Sequence, residues 1–230
     1  FGLGLMGFGG FWVRISIAQF GGVPPALAVL ITLLFILFLA LFYLPAGWLA
    51  GRLNSAAEGF SSVLILPALW VLSEWLRSWS FTGFPWLSLG YSQIDLPLGG
   101  FAPLLGIFGV SLMLAVSAGL LTLLPRPGVV VSLLVVWAVG LGLQQWTWTE
   151  PAGEPIRVSL LQGNIPQGEK WLRAMRTPSL NLYLEMTAAV PDSRIVVWPE
   201  TAVPAYDSEV ETLLLEPLHA QLQEEQRDVL

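Results

Sequence analysis

One carboxylate ends a strongly apolar stretch of the sequence. The segment IVVWPETAVP, Ile195 to Pro204, contains Glu200 as its only charged residue. An acid that directly follows a strand, next to Trp198 and Pro199, is expected to be partly removed from water, which suits a general base. An ordinary solvated acid at the end of a strand explains the same residues, and local spacing alone favours that simpler interpretation.

A second candidate segment is QGNIPQGEKW, Gln162 to Trp171, which follows the predicted strand 156–161. Because this loop and Glu200 each directly follow a strand, we expect them at the same edge of the sheet. In α/β sheets, ligands gather at this edge, beyond the carboxyl ends of the strands. Asn164 offers an amide for binding, and Trp171 offers a large apolar surface with one donor. An ordinary βα loop remains the alternative, and Lys170, the only lysine, is expected to be a solvated surface charge.

A third candidate is the aromatic segment FTGFPWLSLGYSQIDLP, residues 81–97, which carries a single charge. Such an apolar loop between membrane spans either packs on protein or enters the membrane interface. Phe84, Trp86 and Tyr91 are therefore predicted to line a groove for a lipid or an acyl chain. The alternative is an aromatic belt that only anchors the protein at the interface.

The composition shows that these candidates lie on a protein built at least partly for a membrane. The 230 residues are 55% hydrophobic and 11% charged, whereas a soluble domain carries roughly 25% charged residues. Four basic and three acidic residues precede residue 150, whereas six basic and thirteen acidic residues follow from there. The sequence thus predicts a transmembrane domain at 1–149 and a soluble, acidic domain at 150–230.

The apolar runs of the first domain predict a multi-pass α-helical bundle. A membrane helix needs about 20 apolar residues, and this predicts about four full spans plus a partial earlier one: 26–50, 60–77, 99–124 and 129–148. The second span contains Glu74 and Arg77, which are three residues apart and spaced to pair with each other on a helix.

The basic residues in the short loops predict the orientation in the membrane. Arg52 and Arg126 lie between spans, and basic loops stay on the cytoplasmic side. The last span then ends outside, so everything after Glu150 is expected to be extracytoplasmic.

The second domain alternates β-type runs and helical patterns, which is typical of an α/β sheet. Thr177 and Pro178 predict a helix start, and Ser208 with Glu211 forms a capping box. The apolar strands predict burial on both faces of the sheet. The predicted order is strand, helix, strand, helix, strand: Ile156–Leu161, Thr177–Val190, Ile195–Trp198, Ser208–Arg227 and a start at Val229.

Several classes of site are disfavoured by composition. The chain has no cysteine, which excludes a disulfide, a thiolate metal site or a cysteine nucleophile within these residues. The lone His219 is expected at the surface, so we expect neither a metal nor a cofactor. An acidic domain without a basic run argues against nucleic acid as a partner. Because the chain starts with Phe1 and ends where a new apolar run begins, we expect it to be a fragment.

Three motifs together carry a resemblance to a known family: FTGFPWLSLGYSQIDLPLGG, VSLLQGNIPQGEKW and VVWPETAVP, with FWVRISIAQFGG preceding them. In this order, with a membrane part before a soluble part, they closely resemble the apolipoprotein N-acyltransferases. Those bacterial inner-membrane enzymes add the third acyl chain to lipoproteins. The resemblance covers essentially the whole chain.

This resemblance implies a fold and a set of site residues. The soluble part would be a truncated nitrilase-like αββα sandwich facing the periplasm. Of the family's Glu-Lys-Cys triad, Glu200 matches the general base, whereas the Lys and Cys would lie downstream of Leu230. Trp171 matches a tryptophan on a mobile arm near the active-site entrance, and Lys170 matches the arm lysine rather than the triad lysine.

The resemblance also implies a reaction and partners. A thiolate takes the acyl chain from a membrane phospholipid, and the α-amino group of a diacylated lipoprotein then accepts it. We expect a monomer that is inactive as these 230 residues alone. A membrane-tethered nitrilase-type amidase and a non-catalytic lipid-binding scaffold remain the alternatives.

Overall fold

The computed structural model describes residues 1–53 and 61–229 of the chain. The chain divides into two compact units, Phe1–Glu150 and Pro151–Leu230. Each unit has its own secondary structure and its own packing.

The first unit is helical throughout. A proline in the first turn starts α3 and α5 to α7, where its missing N–H has no helical acceptor to lose. Short 3₁₀ segments at Ser80–Thr82, Leu89–Gln93 and Pro97–Phe101 connect α5 to α6. The helices are α1 (Gly2–Gly10), α2 (Val13–Gln19), α3 (Pro25–Leu41), α4 (Tyr43–Leu53), α5 (Leu66–Trp79), α6 (Ala102–Leu121) and α7 (Pro127–Gln144).

Three helical stretches in the described residues are long and apolar enough to cross a membrane: Pro25–Leu53, Pro97–Leu121 and Pro127–Gln144. The predicted spans 26–50, 99–124 and 129–148 fall on them, with ends that differ by a few residues. The predicted span 60–77 begins at residue 60, outside the described residues. From Ser61 onward that segment forms a π-helical turn, Ser61–Ile65, and then α5.

Helix α7 packs closely against the 3₁₀ segment Pro97–Phe101 through a glycine. A Cβ atom added at Gly140 would lie 2.5 Å from the carbonyl oxygen of Pro97 and 3.1 Å from the ring of Phe101. Gly142, half a turn further on, has no heavy atom within 4 Å of the same position. The close approach therefore depends on the absence of a side chain at one glycine and not at the other.

This difference predicts opposite effects of the same substitution within one helix. Gly140→Ala should destabilise the membrane unit by about 1–3 kcal/mol, since a methyl group would be forced into a packed contact. Gly142→Ala is the matched control and should leave the stability unchanged or raise it, because alanine is the better helix former. Thermal unfolding of the detergent-solubilised protein measures both, and equal midpoints for the two variants would contradict the packing.

The second unit is built on a three-stranded parallel sheet. Its strands are β1 (Val158–Leu160), β2 (Ile195–Val197) and β3 (Asp228–Val229), and they lie in the order β1-β2-β3. The chain crosses from β1 to β2 through α8 (Arg173–Ala188). It crosses from β2 to β3 through α9 (Asp207–Val210), a π-helical turn (Glu211–Leu215) and α10 (Glu216–Glu224). The predicted alternation of strands and helices is confirmed.

One predicted helix start in this unit is displaced, whereas the other, at Ser208, lies within one residue of the start of α9 at Asp207. Helix α8 begins at Arg173, before the predicted cap at Thr177, and Pro178 lies inside it. The predicted helix from Ser208 to Arg227 is interrupted, and its last segment restarts at Glu216 with Pro217 in the first turn. Pro217 would disrupt the interior of an α-helix but is tolerated in the first turn, and this accounts for a new helix that begins at Glu216.

The sheet is buried on one face and much less on the other. Val196 of β2 is fully buried and packs in a cluster with Leu161, Tyr183 and Ala202. On β1, Val158 is 46% and Leu160 is 77% exposed. The predicted burial on both faces is therefore wrong for β1 in this structure, because helix α8 covers only the face that carries Val196.

Candidate functional site

The register of β1 and β2 brings the two candidate segments of the second unit to the same sheet edge. Leu160 pairs with Val197, and the next amide, Leu161 N, donates to the Val197 carbonyl at 2.9 Å. The segment that begins at Gln162 and the turn that contains Glu200 therefore leave the sheet side by side. This is the edge at which α/β proteins place their ligands.

Trp198 anchors the start of that turn to helix α8. Its ring lies 5.4 Å from the ring of Tyr183, and its Nε1 donates to Thr187 Oγ1 at 2.9 Å. The indole is thus engaged with the helix rather than with Glu200, which is exposed. The expected partial removal of the Glu200 carboxylate from water is therefore wrong for this structure, and the side chain is open to an incoming group.

The backbone of Glu200 is held from two sides. Lys170 Nζ donates to the Glu200 carbonyl at 2.7 Å, and Thr201 Oγ1 donates to the same oxygen at 2.7 Å. Thr201 also has a positive φ of 54°, an uncommon conformation for a β-branched residue. Lys170 is only partly buried and its contact is exposed, so it remains a surface charge as expected, but it also binds the Glu200 main chain. The spacing of the sequence carried no signal for this contact, since thirty residues separate its partners.

The two predicted binding residues of the loop lie on its exposed surface. Asn164 has a φ of 51°, and its Oδ1 accepts a hydrogen bond from Gln162 Nε2 at 2.9 Å. Trp171 is 61% exposed. In the described residues, the hydrogen bonds of this loop reach Glu200 through Lys170 and not through Asn164 or Trp171.

A second set of contacts holds the chain after Glu200 against α8. Arg176 donates to the Pro204 carbonyl at 3.3 Å and to Glu209 Oε2 at 2.6 Å. The amide of Tyr206 donates to the same carboxylate oxygen at 3.3 Å. That amide, followed by the Arg176 guanidinium, lowers the pKa of Glu209. Arg176 lies in the part of α8 that precedes the predicted helix start, and sequence analysis did not single it out.

The Lys170 contact predicts that one substitution will loosen the loop. Replacing the ammonium group in Lys170→Met removes the hydrogen bond to Glu200, which is worth about 1.5–3 kcal/mol for a charged donor when buried and less at this half-exposed position. Chymotrypsin should then cleave after Trp171 at least several-fold faster than in the unsubstituted protein.

Arg157→Met serves as the control, because it removes an exposed ion pair between Arg157 and Asp192 elsewhere in the same unit. Such pairs contribute little to stability. Cleavage after Trp171 at the same rate in both variants would show that Lys170 does not hold the loop.

In the membrane unit, two of the three predicted lipid-facing residues lie together. The rings of Phe84 and Trp86 are stacked at 6.0 Å, and Phe84 also meets the edge of Phe35 at 5.1 Å. Tyr91 and Trp86 are exposed and lie outside the cavity beside Phe84. That cavity has a volume of about 250 Å³ and is lined by Phe35, Phe38, Leu39, Phe42, Arg77, Ser80, Phe81, Thr82, Gly83 and Phe84.

The predicted pairing of Glu74 with Arg77 is wrong. The described residues contain no ion pair between them within 4.0 Å. Instead, Arg77 Nη1 donates to the carbonyls of Phe84 and Trp86, and Glu74 Oε1 accepts from the amide of Leu89. Both charged side chains therefore bind the backbone of the aromatic loop, residues 84–91.

The described residues contain no cluster of three or more His, Cys, Asp or Glu side chains that could hold a metal ion. His219 is exposed and shares a hydrogen bond with Gln223 at 2.8 Å. The candidate side chains at this sheet edge are a carboxylate, an amide and an indole (Glu200, Asn164 and Trp171), beside the Lys170 ammonium group that binds the Glu200 carbonyl.

Apolar helices of membrane-spanning length identify a multi-pass membrane protein. The family model for the N-terminal domain of apolipoprotein N-acyltransferase matches residues 1–120. The chain belongs to the apolipoprotein N-acyltransferase family.

The relatives extend this likeness beyond the membrane unit. The chain is similar to the apolipoprotein N-acyltransferase of Methylococcus capsulatus, with 46% identity over all of this chain and 47% of the relative. It is 44% identical to that of Nitrosomonas europaea over 90% of this chain and 42% of the relative. The enzyme of Vibrio cholerae is 41% identical over 93% of this chain and 43% of its own length. The chain spans about half the length of the curated relatives it matches.

Proposed function

We propose that the full-length protein is a phospholipid-dependent N-acyltransferase that acts on lipoproteins in a bacterial inner membrane. The observation that carries the proposal is the match along the whole chain to proteins named apolipoprotein N-acyltransferase. The apolar helices agree with this function, because a phospholipid donor and a lipoprotein acceptor are both anchored in the bilayer.

The second unit is proposed to be the N-terminal part of a nitrilase-like αββα domain. The exposed apolar side chains of Val158 and Leu160 support this, since a sheet normally buries such a face against another layer. With Arg52 in the last turn of α4 and Arg126 just before α7 both on the cytoplasmic side, the domain from residue 150 onward would lie in the periplasm.

The first half-reaction would transfer the acyl chain to the protein. Glu200, as general base, takes the proton of a cysteine thiol supplied from beyond these residues. The thiolate attacks the ester carbonyl of the phospholipid, forming a C–S bond and breaking the ester C–O bond. The proton held by Glu200 passes to the departing alkoxide, which leaves as the hydroxyl of a lysophospholipid. A triad lysine, also outside these residues, completes the site.

The second half-reaction would pass the chain to the lipoprotein. The α-amino group of a diacylglyceryl-cysteine attacks the thioester carbonyl, forming a C–N bond and breaking the C–S bond. Glu200 takes a proton from the amine and returns it to the departing thiolate. The exposed position of Glu200 at the sheet edge suits a base that must meet two different substrates in turn.

The remaining candidate residues are proposed to bind and orient lipid. Trp171 lies on the exposed loop near Glu200's main chain and offers apolar surface to an entering acyl chain. Asn164 offers its amide to a polar group at the same edge. Phe84, Trp86 and Tyr91 of the aromatic loop would contact the lipid substrates in the membrane interface. No cofactor takes part, and the protein would act as a monomer.

The general-base role is tested by Glu200→Gln in the full-length protein. The amide keeps the size of the side chain but cannot accept a proton, so transfer of a labelled acyl chain to a diacylated lipopeptide should fall by 10²-fold or more. Mass spectrometry of the lipopeptide measures the triacylated product. Glu154→Gln, an exposed acid of the same unit, is the matched control and should retain the full rate.

The same assay separates the alternative functions. Release of free acid or ammonia without triacylated product would support a membrane-tethered amidase. A non-catalytic scaffold would remain functional in cells with glutamine at position 200. Full transfer by the Glu200→Gln protein would therefore overturn the proposed base.

A truncation provides an independent prediction. The 230 residues expressed alone contain Glu200 but no cysteine, so they should show no transfer above the uncatalysed background in the lipopeptide assay. Measurable triacylation by this segment alone would refute the assignment of the nucleophile to a cysteine elsewhere in the protein.

A further inference from the structure

Two opposite charges are buried in α5, where the membrane unit is otherwise strongly apolar. Glu74 is 0% and Arg77 is 1% exposed. Charged side chains inside membrane proteins are costly to bury and are commonly functional. The geometry of the hydrogen bonds around them indicates what they do.

Both residues bind the main chain of one short segment. Arg77 Nη1 donates to the Phe84 carbonyl and, at 2.6 Å, to the Trp86 carbonyl. Glu74 Oε1 accepts from the Leu89 amide at 2.9 Å. The guanidinium group thus binds two carbonyls, and the carboxylate binds one amide. The backbone from residue 84 to residue 89 is therefore held by two opposite charges that lie about one helical turn apart in α5.

Further backbone contacts hold the two ends of this segment. The Phe84 amide donates to the Arg77 carbonyl at 2.9 Å, after Gly83 turns the chain with a φ of 83°. At the other end, the Gly90 amide donates to Ser111 Oγ of α6 at 2.8 Å. The segment between these ends carries Trp86, which is exposed, and it leads directly into exposed Tyr91.

Stability of the fold alone does not explain why these two charged residues are buried. Glu74 Oε2, Arg77 Nε and Arg77 Nη2 are buried and have no hydrogen-bond partner among the described residues. Buried charges that lack part of their hydrogen bonding are costly, and apolar side chains of similar volume would avoid that cost. What apolar side chains cannot replace is the set of hydrogen bonds to the loop backbone.

We propose that Glu74 and Arg77 are positioning residues that hold the aromatic loop, residues 84–91, in the shape that receives the phospholipid acyl donor. This rests on the proposed acyltransferase function. Neither residue takes part in the chemistry, and both act through the backbone that carries Trp86 and Tyr91.

The test compares the singly and doubly substituted full-length protein in phospholipid nanodiscs. Glu74→Met and Arg77→Met each leave one buried charge without its opposite charge nearby and should lower the thermal midpoint. The double variant Glu74→Met/Arg77→Met removes both charges and should have a midpoint above those of the single variants but below that of the unsubstituted protein, because the loop carbonyls and amide still lose their partners. Its KM for phospholipid should nevertheless rise at least tenfold, with a smaller change in kcat, because the loop has lost its anchors.

Two further variants keep the proposal testable if the double variant does not fold. Ser111→Ala removes an anchor of the same loop without changing any charge, and it should raise the KM for phospholipid several-fold. Asp95→Asn, an exposed charge near the same loop, is the matched control and should leave the KM unchanged.

The outcomes separate this inference from the function on which it rests. An unsubstituted protein without acyl transfer would contradict the proposed function. If the unsubstituted protein is active and the folded double variant keeps the original KM for phospholipid, the positioning role alone is overturned. If the double variant does not fold, an unchanged KM in the Ser111→Ala variant overturns it instead.

Discussion

The membrane unit depends on hydrogen bonds between two buried charged side chains and the backbone of one loop. Residues Phe84 to Leu89 follow the end of α5 at Trp79, and their backbone groups turn back onto the charged side chains of that helix. Arg77 and Glu74 supply the missing donor and acceptor. An otherwise apolar bundle can thereby hold an irregular, aromatic loop in one conformation, and the positions of Trp86 and Tyr91 follow from that.

In the second unit, a β-sheet positions the two loops that carry the candidate residues. The pairing of Leu160 with Val197 sets two loops side by side, and Lys170 then ties the end of one loop to the carbonyl of Glu200. The carboxylate itself stays exposed. A base in this place is fixed through its main chain while its side chain remains free to meet a substrate. Both units thus use side-chain contacts to backbone groups to position the residues that would meet lipid.

Features with a strong local signal could be predicted from the sequence. The apolar runs located three membrane-length helices, and the alternation of strands and helices emerged as predicted. Helix starts were less predictable, because Pro178 is tolerated inside α8. Contacts between residues far apart in the sequence could not be predicted, because the local sequence carries no pattern for them. Glu74 and Arg77 have ideal spacing for each other, yet unpaired backbone groups of the loop compete successfully for both.

The most direct test of this account is hydrogen–deuterium exchange at the Leu89 amide of the protein in nanodiscs. The hydrogen bond to Glu74 predicts a protected amide, and Glu74→Met, which removes the acceptor, should speed its exchange at least tenfold while the helical amides of α6 keep their rates. A Leu89 amide that exchanges at the unprotected rate in the unsubstituted protein would contradict the account, since the loop would then not be held by the buried charges.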